Sequence, residues 1–455
     1  MATLLVRDIT AMATMDDELG DVFDAEILVT DGWITSVARS GLHQGQVDQM
    51  VSLRDHVVLP GLVNTHHHLY QTLTRAVPAA QDVPLFGWLS ALYPIWARLD
   101  SESVRLATQL GLVELALSGC TTAFDHQYIF PNGSSIDDQI EAAAPVGIRF
   151  HASRGSMSLG ESQGGLPPDS VVESESAILE DSQRAVERYH DPEPGSMLQI
   201  ALAPCSPFSV SGELMRESAS LARSLGVRLH THLAETADEE QYCKERFGAR
   251  PIAYAGQQGW LGPDVWFAHG VHVSPEEVSA MAETGTGVSH CPTSNMRLAS
   301  GIAPVQAYLD SGVPVGLGVD GSASNDSSHM LAEVRQAFLV NRLASSPELD
   351  NGPMMPVRQA IRMATVGGAA VLGRNDIGRL APGMAADFFA ISLDDPAFAG
   401  SLHDPIAAAV LCAPQRVDFS WVHGRAVVVD GRVVGVDVER LVADHNAAAK
   451  ALLLG

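Results

Sequence analysis

Residues 59–68 read Leu-Pro-Gly-Leu-Val-Asn-Thr-His-His-His, a short apolar run that ends in three consecutive histidines. Seven further apolar runs of strand length follow before residue 372, and segments long enough for helices separate them. Alternating strands and helices are typical of parallel βα units. After residues 61–64, the predicted strands are Thr121–Phe124, Gly147–Phe150, Leu198–Leu202, Val227–His230, Val265–Ala268, Thr286–Ser289 and Val315–Val319. Eight units predict an α/β fold, a (β/α)₈ TIM-type barrel over residues 59–372.

The two ends of the chain have a different pattern. Apolar runs flank Asp31-Gly32 near the N-terminus and Asp430-Gly431 near the C-terminus, and an Asp-Gly pair between such runs indicates a tight hairpin. Residues 386–391 form another candidate strand. Because short strands cannot bury a face alone, we expect residues 1–58 and 373–455 to combine into one small β-sandwich domain, with a terminal helix in its C-terminal part.

Composition excludes several classes of function. The 455 residues are 46% hydrophobic, and 54 acidic residues against 28 basic ones leave a formal charge of −26. A surface of that sign repels nucleic acid and anionic lipid. The sequence contains no apolar run of the ~18–20 residues that a membrane span needs, and its first residues do not form a charged and apolar leader. We therefore expect a cytoplasmic globular protein without nucleic-acid or membrane partners.

The predicted strands end in polar residues that suit a metal ion. Strand ends of a (β/α)₈ barrel meet at one mouth, so His66, His68, His232 and Asp320 would lie together there. An unpaired Asp320 at the end of an apolar strand would be costly without a cation or hydrogen bonds. The pair His66 and His68 taken alone could equally be a cluster of surface or core histidines. Together the four residues predict a metal site with one position left for water.

Other residues narrow the type of metal site. Glu235 follows His232 by three residues and could reach a metal-bound water, although a glutamate there could instead cap a helix. None of the five cysteines stands in a C-x-x-C pair, which argues against a thiolate zinc site. The chain has only two lysines, Lys244 and Lys450, so none lies near residue 203, where a lysine bridging two metals would be needed. We expect one divalent ion, zinc or alternatively ferrous iron.

Six motifs make a joint pattern: Leu59–His68, Leu229–Thr236, Phe267–His269, His290–Asn295, Gly318–Gly321 and Leu380–Asp387. Over nearly its whole length the chain thereby resembles the amidohydrolase superfamily, in particular its mononuclear deaminase and chlorohydrolase branch. The resemblance implies that the four candidate ligands hold the ion and that Glu235 shuttles protons. It also implies that His269 contacts the attacking water, which Asp320 helps to hold. A homo-oligomer is implied as well.

Four further segments are similar to bacterial deaminases that act on 8-oxoguanine: 68–81, 150–158, 203–209 and 321–326. This similarity implies hydrolysis of 8-oxoguanine to urate and ammonia, with metal-bound hydroxide attacking the amino-bearing ring carbon. Gln71 is shared with guanine deaminases, where it reads the purine edge. Those enzymes carry an Arg-Phe pair where this chain has Cys205-Ser206, and the loss of a guanidinium fits a purine with an oxygen on its five-membered ring.

Several alternatives stay open at this stage. We assign Gln71, Cys205, Ser206 and Arg154 to substrate binding, but Arg154 could equally form a buried ion pair. The aromatic residues Trp88, Tyr93 and Trp96 fit either a lid over the site or an amphipathic core helix, and their spacing favours the core. Isoxanthopterin, guanine and a hydroxy-triazine are alternative substrates. A non-catalytic barrel that only binds a metal or ligand is the alternative from a different class.

Overall fold

The central domain is a closed barrel of eight parallel strands. The computed structural model describes residues 2–345, 354–412 and 414–454. Around the barrel the strand order is β10-β11-β12-β13-β6-β7-β8-β9. Their bounds are β6 Leu62–Asn64, β7 Cys120–Asp125, β8 Arg149–Ser156, β9 Leu198–Pro204, β10 Arg228–Leu233, β11 Val265–His269, β12 Gly287–His290 and β13 Val315–Leu317. All eight predicted runs are barrel strands, so the predicted (β/α)₈ barrel is confirmed.

Fifteen α-helices lie in the described ranges, and most of those between residues 101 and 371 surround the barrel. Their bounds are α1 Leu85–Trp96, α2 Ser101–Leu117, α3 Ile136–Ala143, α4 Glu175–Tyr189, α5 Gly212–Leu225, α6 Ala237–Phe247, α7 Pro251–Gln257, α8 Pro275–Thr284, α9 Pro292–Arg297, α10 Val305–Ser311, α11 Met330–Ala344, α12 Val357–Arg362, α13 Gly368–Val371, α14 Pro405–Leu411 and α15 Val438–Leu454. A capping box between Asp100 and Ser103 starts α2. In the ranges that the structure describes, no helix has the length and apolar character needed to cross a membrane.

The termini build one further sheet, as expected from the two ends of the sequence. Nine strands are linked by hydrogen bonds in the order β17-β16-β15-β14-β5-β1-β2-β3, with β4 beside β1. They are β1 Thr3–Ala13, β2 Asp21–Thr30, β3 Trp33–Arg39, β4 Gln49–Ser52, β5 His56–Pro60, β14 Phe388–Ser392, β15 Phe419–Val422, β16 Arg425–Val429 and β17 Arg432–Val433. The Asp31-Gly32 hairpin is confirmed, since both residues have positive φ, as a type I′ turn requires. Domain boundaries at residues 58 and 372 stay a prediction.

The sheet and the barrel meet through strand β5, which ends at Pro60 just before the barrel begins. It pairs with β1 on one side and with β14 on the other. Buried side chains of β5 and β14, among them Leu59 and Phe389, pack into the same apolar cluster as the barrel helices. The sheet therefore covers the barrel wall, and the carboxyl ends of the barrel strands are left free to form a site.

Candidate active site and metal centre

Four predicted ligands converge at the carboxyl ends of the barrel strands. His66 and His68 follow β6, His232 lies in β10 and Asp320 follows β13. Asp320 Oδ1 lies 3.3 Å from the Nε2 atoms of both His66 and His68, and the Nε2 atoms of His68 and His232 are 3.0 Å apart. All are buried or nearly so. Residues from the start, middle and end of the barrel sequence thus share one small volume.

Hydrogen bonds fix the tautomer of two of these imidazoles directly. His68 Nδ1 donates to the carbonyl of His126 at 2.6 Å, and His232 Nδ1 donates to the carbonyl of Cys205 at 2.7 Å. Because a carbonyl oxygen only accepts, each Nδ1 must carry the proton and each Nε2 keeps its lone pair. These two lone pairs belong to the nitrogen atoms that approach each other at the barrel mouth.

The third imidazole is oriented by another histidine, His230. His230 Nδ1 donates to the carbonyl of Trp266 at 3.0 Å, so its Nε2 accepts from His66 Nδ1 at 2.8 Å. His66 Nε2 is then an acceptor, and it is buried without a hydrogen-bond partner. No role was predicted for His230 from the sequence. Its only signal was its place two residues before His232 on the same strand.

Protonation states at this cluster suit a cation. Burial and the neighbouring His66 lower the pKa of His68 to about 3, so its imidazole is neutral. Burial opposes ionisation of Asp320, but the imidazoles of His66, His68 and His269 around it hold its pKa well below the usual value. Neutral imidazoles and an ionised carboxylate are the forms that bind a metal. The residues present therefore fit one divalent ion, and the partnerless nitrogen of His66 is explained by it.

Two titratable side chains border this cluster. Glu235 Oε2 lies 3.6 Å from His269 Nε2, and that nitrogen lies 3.9 Å from Asp320 Oδ2. Burial raises the pKa of Glu235. His269 Nδ1 donates to Asn295 Oδ1 at 2.9 Å when the amide oxygen faces it, so Nε2 is turned toward the carboxylates. The site thus places a proton-accepting carboxylate and an imidazole beside the candidate metal position.

A cavity opens from these residues and has both polar and apolar lining. Its polar lining consists of His68, Gln71, Tyr128, Cys205, Ser206, His232, Glu235, His269, Asp320 and Ser324. Its apolar and aromatic lining consists of Leu85, Trp88, Leu89, Tyr93, Phe208 and Leu298. An apolar lining with convergent polar groups is typical of a small-molecule site. Gln71, Cys205 and Ser206, which the sequence assigned to substrate binding, all line this cavity.

Arg154 is the predicted site residue that the structure does not bring into the cavity. Its guanidinium donates to Asp181 at 2.5 Å and to Glu173 at 2.7 Å, and it stacks over Phe130. Two carboxylates therefore satisfy its charge outside the site. Arg154 thus forms the ion pair that the sequence left open as its other role.

The aromatic residues of α1 combine the two roles considered for them. Trp88, Tyr93 and Trp96 are buried in one apolar cluster, as their spacing predicted, and Trp88 and Tyr93 also line the cavity. Trp88 Nε1 donates to the carbonyl of Ala323, in the loop that follows Asp320. Helix α1 thus packs as core and forms a wall of the site at the same time.

Comparisons with known proteins agree with this geometry. Residues 57–434 match the model of the amidohydrolase family. The chain is 52% identical to an 8-oxoguanine deaminase of Pseudomonas aeruginosa, covering 94% of this chain and 95% of that protein. It is 37% identical to an isoxanthopterin deaminase from an unknown prokaryotic organism, covering 99% and 97%.

A solved structure shares the whole architecture. The atrazine chlorohydrolase TrzN from Arthrobacter aurescens TC1, crystallised with zinc, superposes with a TM-score of 0.93 at 35% identity and covers 98% of this chain and 100% of its own. The family model spans the barrel and the C-terminal strands of the sheet, and these relatives align over nearly the full length of this chain. The chain belongs to the amidohydrolase family.

Proposed function

We propose that this protein is a metal-dependent hydrolytic deaminase that converts 8-oxoguanine and water into urate and ammonia. One observation carries the reaction type: three imidazole Nε2 atoms and an aspartate converge beside Glu235 and His269 at the wall of one cavity. The substrate is supported by the relative at 52% identity over nearly the full length of both chains. Residence in the cytoplasm and assembly as a homo-oligomer belong to the same proposal.

In this proposal His66, His68, His232 and Asp320 hold one divalent ion, with zinc as the expected metal. Such an ion, when bound, makes a water molecule acidic enough to yield hydroxide near neutral pH. The chain's own contribution is the ligand geometry. The carbonyls of His126 and Cys205 together with His230 hold the three imidazoles in the tautomers that metal binding requires.

Glu235 and His269 carry the acid–base steps. Glu235 accepts a proton from the attacking water and delivers it to the ring nitrogen next to the amino-bearing carbon, which makes that carbon electrophilic. His269 Nε2 and the Asp320 carboxylate orient the water from either side. The water oxygen then bonds to C2 of the purine. Glu235 passes the remaining hydroxyl proton to the exocyclic amino group, the bond between C2 and that amino nitrogen breaks, and ammonia leaves. Burial raises the pKa of Glu235, which suits a group that must both accept and release a proton near neutral pH.

Substrate recognition is assigned to Gln71, Cys205 and Ser206. All three are buried and line the cavity, where a carboxamide can pair with a purine edge and a thiol and a hydroxyl can face its five-membered ring. Trp88 and Tyr93 supply flat apolar surface for a planar ring. Arg154 is left out of this assignment, because its charge is satisfied by Asp181 and Glu173.

The test is ammonia release by zinc-loaded protein from 8-oxoguanine, guanine, isoxanthopterin and a hydroxy-triazine. We expect 8-oxoguanine to give the highest kcat/KM, with urate as the product seen by its absorbance. A higher kcat/KM for another ring would overturn the substrate assignment and keep the deaminase. No ammonia from any of the rings, with zinc bound in one equivalent, would support the non-catalytic barrel instead.

A further inference from the structure

Behind the cavity wall, a second buried glutamate holds the loop that carries Glu235. The two oxygens of Glu239, on α6, accept hydrogen bonds from consecutive backbone amides: Oε1 from Ala234 at 2.9 Å and Oε2 from Glu235 itself at 2.8 Å. The side chain of Glu239 is buried. Within the described residues, no arginine, lysine or histidine lies within ion-pair distance of it. Burial raises the pKa of Glu239 to about 7, and the hydrogen bonds from these two amides favour its ionised form and offset part of that burial.

The peptide that Glu239 grips has an uncommon conformation. Ala234 has φ of +56°, a left-handed region in which a residue with a Cβ is strained by roughly 1–3 kcal/mol. Its carbonyl is fixed from the other side, because it accepts from the amides of Val271 at 2.8 Å and His272 at 2.9 Å. The reversal at Ala234 turns the chain from strand β10 so that Glu235 lies against the cavity. The same bonds tie this loop to the one that follows His269.

We propose that Glu239 is a positioning residue for proton transfer: it fixes the backbone of Glu235 so that the Glu235 carboxylate stays at the cavity and beside His269. The inference rests on the proposed function, since it assumes that Glu235 moves protons. Displacing a reacting group by about 1 Å can cost ~10²-fold in rate. A carboxylate that accepts from both amides at once restricts such displacement better than any neutral side chain of the same size.

Glu239→Gln tests this with the smallest change of shape. The carboxamide oxygen can accept from one of the two amides, but its NH₂ group faces the other amide, a donor opposite a donor. We expect kcat to fall by about 10- to 100-fold, while KM and zinc affinity, measured by titration calorimetry, stay at their wild-type values. Loss of zinc affinity in step with kcat would overturn the inference, because the residue would then act on the metal site.

Glu277 on α8 provides a matched control. It is also a buried glutamate that accepts from a backbone amide, that of Ser274 at 2.9 Å, at the far end of the loop that follows His269. Unlike Glu239 it does not bond to the backbone of Glu235 or line the cavity, and it pairs with Arg250. Glu277→Gln should leave kcat unchanged. If both variants melt at similarly lowered temperatures and only Glu239→Gln loses turnover, reduced stability is not the cause.

A double variant separates positioning from general damage. If Glu239 acts through Glu235, adding Glu239→Gln to Glu235→Gln should cause no further loss of the residual kcat. An additional loss as large as that of the single variant would overturn the inference.

Hydrogen exchange gives a readout that needs no substrate. The amides of Ala234 and Glu235 should exchange faster in Glu239→Gln than in the wild type, while those of the barrel strands keep their protection. Unchanged exchange at both amides would overturn the inference. Failure of the proposed function shows elsewhere, as wild-type protein that releases no ammonia from 8-oxoguanine, and the exchange result stands in either case.

Discussion

Both ends of the barrel bury charged groups, but they satisfy them in different ways. At the carboxyl ends of the strands, Asp320 lies among neutral imidazoles, and His66 Nε2 has no hydrogen-bond partner. At the amino ends, Arg149 of β8 and Asp387 before β14 form a bidentate pair at 2.7 and 3.0 Å, each with a side chain only 1% exposed. Buried polar groups without a protein partner mark the place for a ligand, whereas the buried Arg149–Asp387 ion pair joins the barrel to the terminal sheet.

The second pair at the amino end supports this contrast. Arg374 and Asp376, which follow the barrel, pair at 2.7 and 2.8 Å with side chains 7% exposed. Asp376 also accepts from the amide of Gly195, in the loop before β9. Every oxygen of this carboxylate has a protein partner. Substitutions at the mouth should therefore change rates more than stability, and substitutions at the amino end should do the reverse.

The largest expected effect is on turnover, from Glu235→Gln. The amide has the same shape but cannot carry the proton, so kcat should fall by ~10²–10⁴. Zinc content and Tm should stay near the wild-type values, because Glu235 is not one of the four proposed ligands and the amide keeps its shape and an acceptor oxygen for Ser300. Steady-state kinetics, metal analysis and thermal melts of both proteins check this. Unchanged turnover would remove Glu235 from the mechanism.

The largest expected effect on stability comes from Arg149→Met. It leaves the Asp387 carboxylate buried without its cation, which should lower the free energy of unfolding by about 3–5 kcal/mol in urea titrations. The kcat of the folded protein should not change. In the double variant Arg149→Met/Asp387→Leu, part of the loss should be regained, although the amide of His423 also loses its acceptor. Equal loss in single and double variants would mean that the pair is not what stabilises this end.

Zinc should raise the stability of the protein through the carboxyl end of the barrel alone. A metal that binds His66, His68, His232 and Asp320 stabilises the folded protein and not the unfolded chain. At free zinc about 100 times its dissociation constant, the metal-free protein should gain ~2.7 kcal/mol of unfolding free energy. His66→Ala should abolish most of this gain. Arg149→Met should keep it in full, since the two ends act independently. A gain that is lost equally in both variants would show that the ends are coupled.

The sequence predicted the mouth much better than the amino end. His66, His68, His232 and Asp320 could be found because polar residues that close apolar strands must share one end of a parallel barrel. The Arg149–Asp387 pair could not, since its members are 238 positions apart and nothing local links one charged residue to the other.

At the barrel mouth, the sequence predicted which residues lie there better than it predicted where their side chains point. Arg154 lies on a barrel strand as expected, but carboxylates on α4 and in the segment before it draw its guanidinium away from the cavity. His230 is of the same type as the ligands, and only the positions of Trp266 and His66 show that it orients one of them. Ala234 gives no sequence signal, because its left-handed conformation depends on amides and a carboxylate brought in by folding. Such details follow from tertiary packing rather than from pattern.

The smallest predicted effect is a loss of unfolding free energy at low pH, and it comes from the Arg374–Asp376 pair. Burial opposes ionisation of Asp376, but Arg374 more than compensates and holds its pKa at about 2, below the ordinary 3.8. A carboxyl whose folded pKa is lowered stabilises the protein above its unfolded pKa and loses that contribution as the pH falls toward the folded value. The shift corresponds to about 2 kcal/mol, which should disappear between roughly pH 5 and pH 2.

Asp376→Asn isolates this contribution from the other acids of the chain. At pH 6 the variant should be the less stable protein, because Arg374 then lacks its anion. Its difference from the wild type in unfolding free energy should narrow by about 2 kcal/mol on going to pH 2, as measured by urea titration at each pH. Turnover at neutral pH should be unaffected. A difference independent of pH would mean that the charge of Asp376 contributes nothing, and its contacts with Arg374 and Gly195 would then stabilise the protein only as hydrogen bonds.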